Sequence, residues 1–249
     1  MAETAGKPSS GPNYGIDSPG IIKEWWHRAG WFGAIAVAVW FVNHEQYPGV
    51  SAELLALLGM LALASAAVAR FKIQSSRHGK LRLRDQILDQ LALKGDEKVL
   101  DVGCGLGLMS IGAATRLKTG KVTAIDSWDA RELSGNSLEA ARENAKQAGV
   151  ADRVRFETGD PRKLVYPAEQ YDAVISFTAL HRLADDHERE RALREMLRVL
   201  KPGGKLLVFD TTETSYYAGV LRTSGAKDVE LSPWSFLWCL PGRAVRASR

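Results

Sequence analysis

The groups in this sequence best placed to do chemistry are acids, glycines and one histidine at the ends of short apolar runs. KVLDVG leads into Asp101-Val-Gly103-Cys104-Gly105-Leu-Gly107, and KVTAID ends in Asp126, followed by Ser127 and Trp128. VRFETGD ends in Gly159-Asp160, and YDAVISF ends in Ser176-Phe177, with His181 a short step beyond. Glycines at such a place let backbone approach a ligand and allow a tight strand-to-helix turn. An acid roughly twenty residues beyond the turn can accept hydrogen bonds from ribose hydroxyls. His181 carries an imidazole, the side chain best suited to general-base work. Each assignment has a plainer rival. Asp126 and Asp160 can be solvated strand ends, Trp128 a packing residue, Cys104 a small residue in the turn, and His181 a capping or packing histidine.

These residues need a scaffold that brings strand ends together. The apolar runs 98–103, 121–126, 154–160, 171–177 and 205–210 alternate with helical segments such as SLEAARENAKQAG. Leu193, Met196, Leu197 and Leu200 form one apolar helical face, which Pro202, Gly203 and Gly204 bring to a stop. A further lead-in helix follows from the spacing of Leu81, Ile87, Leu88 and Leu91. Strands alternating with helices predict a parallel sheet covered on both faces, whose ligands bind at the carboxyl ends of the strands. Asn136 with Glu139 reads as the cap of the helix that follows SWDARELSGN, a loop that either folds over the ligand or stands as a solvated insertion.

The glycine turn departs from the dinucleotide fingerprint, because its third glycine follows the second by two residues and Asp101 precedes the first. No Tyr-x-x-x-Lys run follows the fourth strand either, which counts against an NAD-binding reductase. VLDVGCGLG, VTAID, the ETGD strand end and LKPGGKLLV, in that order, closely resemble the class I S-adenosylmethionine-dependent methyltransferases from about Lys80 to Arg249. The resemblance implies an α/β, Rossmann-like sheet of seven strands, the last antiparallel, with AKDVELSPW and GRAVRAS as its final two. It implies S-adenosyl-L-methionine as cofactor. Gly103, Cys104, Gly105 and Gly107 would pass beneath its methionine and ribose, with Asp101 supporting the amino-acid end. Asp126 would hold the ribose, Ser127 and Trp128 would line the adenine, Gly159-Asp160 would meet the adenine amino group, and Ser176 and Phe177 would lie below the methyl. The continuation SFTALHRL lacks the Asn/Asp-Pro-Pro-Tyr signature of nucleic-acid enzymes and resembles the small-molecule branch.

The first third is different in kind. Trp25–Val42 and Val50–Val68 are apolar on every face, with Trp25, Trp26, Trp31, Trp40, Phe41 and Tyr47 at their ends. The connection NHEQYPG has no Lys or Arg, whereas Lys23 and Arg28 precede the pair and Arg70, Lys72, Arg77, Lys80, Arg82 and Arg84 follow it. The positive-inside rule then expects a two-helix membrane hairpin with both ends cytoplasmic. The rival is a helical pair packed as a lid over the active site.

Composition sets the outer limits. The 249 residues are 45% hydrophobic and 25% charged, which excludes wholesale disorder. Two cysteines exclude a disulfide scaffold, and no Cys/His cluster has metal spacing. The net charge of +4 is accounted for by the basic run beside the hairpin, and nothing else favours a nucleic-acid partner. The expected organisation is a disordered tail (1–20), a membrane hairpin (21–70), a basic connector with its lead-in helix (71–97) and a methyltransferase domain (98–249). The expected activity is methyl transfer to a small or amphiphilic acceptor at the cytoplasmic membrane face. The alternatives are a non-catalytic cofactor-binding membrane module and a soluble enzyme with a lid.

Overall fold

Five apolar runs become the parallel strands β1 (Lys98–Val102), β2 (Lys121–Asp126), β3 (Val154–Thr158), β4 (Tyr171–Phe177) and β5 (Leu200–Asp210). With β6 (Lys227–Leu231) and β7 (Arg243–Ser248) they make a seven-stranded sheet of order β3-β2-β1-β4-β5-β7-β6. Strand β7 runs antiparallel to both its neighbours. This computed structural model describes residues 11–43, 45, 48–129, 133 and 135–249. Residues 1–10 of the expected tail, part of NHEQYPG and part of the SWDARELSGN loop lie outside them.

Side chains alternate across each strand, so both faces of the sheet are buried. Val99, Val122 and Ala173 face one core layer, shared with α3 (Lys80–Asp89), α4 (Leu108–Ala114) and α5 (Leu138–Gln147). Leu100, Val102 and Val174 face the other, beneath α6 (Asp186–Val199) and α7 (Thr214–Thr223). The α6 face Leu193, Met196 and Leu197 packs there, and the Asp185 carboxylate caps that helix by accepting from Glu188 N at 2.8 Å. Pro202, Gly203 and Gly204 fall inside β5 and not in a loop ahead of it. Register aligns the carboxyl ends: Asp126 stands opposite Thr158, Val102 opposite Ile125, Phe177 opposite Phe209 and Asp210 opposite Arg243.

Ahead of the sheet, α1 (Pro19–Asn43) and α2 (Pro48–Gln74) pack on one another. Their apolar side chains largely face outward; Trp31, Phe41, Met60 and Leu63 are each 63–74% exposed. The helix does not end at Val68. It continues through a π turn at Ser75–Gly79 into α3, whose Leu83, Ile87 and Leu88 are buried in the core. The basic connector is therefore helical and stiff, because burying these three side chains, at about 1.5–3 kcal/mol each, fixes its far end.

The tail expectation needs correcting for residues 11–18. Asn144 accepts from Asn13 N and donates to Asn13 O, both at 2.8 Å. The buried Lys80 ammonium donates to the carbonyls of Tyr14 and Gly15 and to the Asp17 carboxylate. Composition showed no apolar periodicity here, but this segment is held by polar partners far away in the chain.

Candidate active site

The turn after β1 is built on left-handed glycines. Gly103, Gly105 and Gly107 have φ of 78°, 51° and 85°. At Gly103 a β-carbon would come within 2.2 Å of the Ala179 β-carbon, so the turn and the β4 exit can touch only through glycine. Gly103 N and Cys104 N donate to Ile125 O, and Gly105 N donates to Asp126 Oδ2 at 2.8 Å. Cys104 is buried, and burial, then the charges of Asp101 and Asp126, push its thiol well up. It packs the turn as a protonated thiol.

Asp126 is the organising acid. Besides Gly105 N, it accepts from Trp128 N at 2.7 Å and from the Asn136 amide at 3.2 Å. A carboxylate offers about four acceptor positions, so about one remains for a ligand. Asn136 is thus not the cap of α5. Ser137 is, its hydroxyl accepting from Ala140 N at 3.1 Å. Asn136 instead faces the site, and its Oδ1 is buried without a partner among the described residues. The sequence showed Asn136 only as a capping signal, one residue out of register.

A cleft of about 450 Å³ opens between the ends of β1, β2 and β3. Gly103, Asp126, Ser127, Asn136, Gly159 and Asp160 line it, together with Arg162 and Ala179. The other expected residues lie around this cleft and not in its wall. Asp101 is fully buried beneath the turn; Ser110 Oγ donates to its Oδ2, while Oδ1 has no hydrogen-bond partner among the described residues. Burial, then the nearby Asp126, pushes its carboxyl up to about 7, with the Ser110 hydrogen bond pulling back. Trp128 adopts a left-handed φ of 63° and donates its indole N–H to Thr158 Oγ1 at 3.0 Å. Asp160 is gripped by Arg162, whose Nε reaches Oδ1 and whose terminal nitrogen reaches Oδ2. That guanidinium holds the Asp160 carboxyl below the ordinary range and also bonds Glu188. Arg162 was not foreseen, since a lone arginine after a strand end carries no spacing signal.

The β4 and β5 ends make the second half of the site. Ser176 is buried, donating to Val102 O at 2.9 Å, and so ties β4 to β1. Phe177 stacks on Phe209 at 5.2 Å and meets Trp238 at 5.7 Å. His181 Nδ1 lies 2.6 Å from Oδ1 of the fully buried Asp210, and His181 N reaches its Oδ2 at 3.1 Å. Thr211 N and Tyr217 Oη donate to the same carboxylate. An acceptor-only carboxylate on Nδ1 leaves Nε2 of a neutral imidazole as the basic nitrogen. The neighbours Ala179 and Arg182 line the cleft, although His181 itself is not part of its wall. Asp210 ends a strand like Asp126, but its pairing with His181 was invisible across 29 residues of chain.

The orphaned Asn136 acceptor, a glycine-floored cleft and strand-end acids together suit a ligand rich in hydroxyl and amino donors. Comparison with known proteins agrees. Residues 99–204 match the family model described as a methyltransferase domain. A methyltransferase of Streptomyces halstedii, GfsG, is 34% identical over 60% of this chain and 53% of its own length. The 27-O-demethylrifamycin SV methyltransferase of Amycolatopsis mediterranei is 36% identical over 52% and 44%. The chain thus spans about half the length of these curated relatives. Among solved structures, a SAM-dependent methyltransferase from Aquifex aeolicus shares the fold with a TM-score of 0.54, at 21% identity over 72% of this chain and 97% of that one.

Proposed function

We propose that this protein, whose residues 99–204 match a methyltransferase-domain model, is a class I, S-adenosylmethionine-dependent enzyme that methylates a hydroxyl of a small, amphiphilic acceptor at a membrane face. The observation that carries the reading is the His181–Asp210 pair, whose chain neighbours Ala179 and Arg182 line the cleft. The bound cofactor supplies an electrophilic sulfonium methyl, and the protein's own groups do the rest. Asp126, Asn136 and the Gly103–Gly107 turn hold the ribose and amino-acid parts, and Gly159 and Asp160 meet the adenine. The walls align the acceptor with the methyl, so that two bound partners react as one. His181 Nε2 takes the hydroxyl proton, and Asp210 steadies the imidazolium that forms. A base is needed only for a nucleophile that is protonated at working pH, which favours a hydroxyl. The relative from Amycolatopsis, whose name specifies a 27-O-demethyl compound, supports the same choice.

The membrane part of the reading rests on the outward apolar faces of α1 and α2. The helix from Ala52 to Asp89 is long and apolar enough to cross a membrane, and its apolar stretch is only 17% buried. A lid would have covered those faces. The basic side chains Arg70, Arg77 and Arg82 are exposed on its continuation, where a cytoplasmic leaflet would attract them. A purely structural, non-catalytic module leaves the His181–Asp210 pair without a task.

The test is to incubate the full-length protein, in vesicles, with cell extract and isotope-labelled S-adenosyl-L-methionine, then follow mass shifts. Labelled product in the lipid-soluble fraction, lost in His181→Gln, is expected. Label confined to polar metabolites would reject the amphiphilic acceptor. Full-length protein that stays monomeric and dispersed in detergent-free buffer would reject the membrane hairpin.

A further inference from the structure

We infer that the loop between β6 and β7, residues 232–242, is a further membrane contact that seats the carboxyl edge of the sheet on an anionic bilayer. The inference rests on the membrane reading proposed above. Among the described residues outside the N-terminal helices, the large apolar side chains that stand exposed are Val165, Trp234, Phe236 and Leu237. Single exposed apolar residues are ordinary, but three within four positions make a patch. The loop is also braced. Ser235 and Gly242 pair through both backbone hydrogen bonds, closing its neck. Trp238 turns inward, 4% exposed, to donate to Asp17 at 3.0 Å and pack on Phe177. One aromatic holds the loop to the domain while Trp234, Phe236 and Leu237 remain 44–73% exposed, lining an open cleft beside α3.

Position selects a bilayer as the occupant. Asp210 pairs with Arg243, so the loop rises from the same sheet edge as His181 and the cleft. The helix from the apolar hairpin enters the domain beside it. At Gly79, in the π turn, a β-carbon would come within 2.3 Å of the Leu237 carbonyl oxygen. The aromatic loop therefore lies beside the π turn, within the basic stretch that follows α2, on the headgroup side of the apolar hairpin. Arg243 lies over the Trp234 ring at 5.0 Å, and Arg77 and Arg82 are exposed nearby in sequence to Gly79. Aromatic rings with cations beside them suit anionic headgroups above acyl chains. A loop seated there would point the rim of the cleft toward the leaflet, so that an amphiphilic acceptor need not leave it.

The experiment uses the full chain in vesicles of phosphatidylcholine with phosphatidylglycerol, with Cys239→Ser as background, because Cys104 is buried. An environment-sensitive fluorophore is attached at Phe236→Cys, at Met60→Cys on α2, or at Val165→Cys on the domain. Nitroxide-bearing lipids serve as quenchers. Blue-shifted emission at 236 that nitroxide lipids quench, with 165 unaffected, is the expected result. If 60 is quenched and 236 behaves like 165, the loop contact is overturned while the membrane hairpin stands. If neither 60 nor 236 is quenched, the membrane reading fails and takes the inference with it. If 236 is quenched and 60 is not, the loop contact holds and the hairpin fails. Emission at 236 that shifts to the blue without quenching would show a protein surface covering the loop, which also overturns the inference.

Discussion

Replacing Asp210 by asparagine keeps its shape and removes the group on which His181 depends. Four donors converge on the wild-type carboxylate: His181 Nδ1 at 2.6 Å, Thr211 N at 2.8 Å, His181 N at 3.1 Å and Tyr217 Oη at 3.3 Å. Asparagine accepts through one oxygen only. If its amide nitrogen faces the first two, Thr211 N is orphaned and the imidazole must accept at Nδ1, which places the proton on Nε2. If it faces the other two, His181 N is orphaned, although the tyrosine hydroxyl can rotate. Either way one buried donor is unsatisfied, at about 1–3 kcal/mol of stability. The base is silenced only in the first arrangement. The assay is nitrogen NMR of ¹⁵N-histidine-labelled protein, with His181 assigned through His181→Gln. Wild-type protein at neutral pH is expected to carry its ring proton on Nδ1, and Asp210→Asn to shift population to Nε2. Turnover, once an acceptor is in hand, should fall about 10²-fold or more, the scale of general-base catalysis. An Nε2–H tautomer in the wild-type protein would refute the reasoning, whatever the rates.

Gly103→Ala forces a β-carbon against Ala179 at a φ of 78° and should cost about 1–3 kcal/mol, read as a lowered urea midpoint together with weakened cofactor binding. Asp101, raised to about 7 by burial, holds more protons folded than unfolded between roughly pH 4 and 7, so its contribution to stability falls as pH rises through that window. Asp101→Asn should flatten this slope in denaturant titrations at several pH values; an unchanged slope would exonerate Asp101. Asn144→Ala loses its bonds to Asn13 and leaves Leu106 O unsatisfied, so cleavage within residues 11–18 by a dilute protease should speed up while the core stays intact. Arg162→Ala frees the Asp160 carboxylate from its fork and should weaken cofactor binding several-fold, about 0.5–1.5 kcal/mol, measured by titration.

What could be read in advance followed from period and spacing. Apolar runs alternating with amphipathic helices gave all five parallel strands, and the last two segments took their places as β6 and β7. Glycines at 103, 105 and 107 announced a tight strand-to-helix turn, and all three take a left-handed φ in it. Relationships across the chain were not legible. Asp210 meets His181 only because β4 and β5 are neighbours, and Asn136 turns to Asp126 only because the β2 exit folds back. Arg162 grips Asp160 at a separation of two residues, a contact that many loops with that spacing never make. The segment 11–18 looked like coil because polar anchoring by Lys80 and Asn144 leaves no periodic trace.

The cleft between the ends of β1, β2 and β3 is expected to bind S-adenosyl-L-methionine. Calorimetric titration of the full-length protein tests it without any knowledge of the acceptor, with NAD as the competing ligand. Saturable binding of S-adenosyl-L-methionine at one site per chain and none of NAD is predicted. In Asp126→Ala the affinity should drop at least about tenfold, since hydrogen bonds to a charged group are worth about 1.5–3 kcal/mol. An Asp126→Ala protein that binds as tightly as the wild type, or a wild type that prefers NAD, would contradict the account.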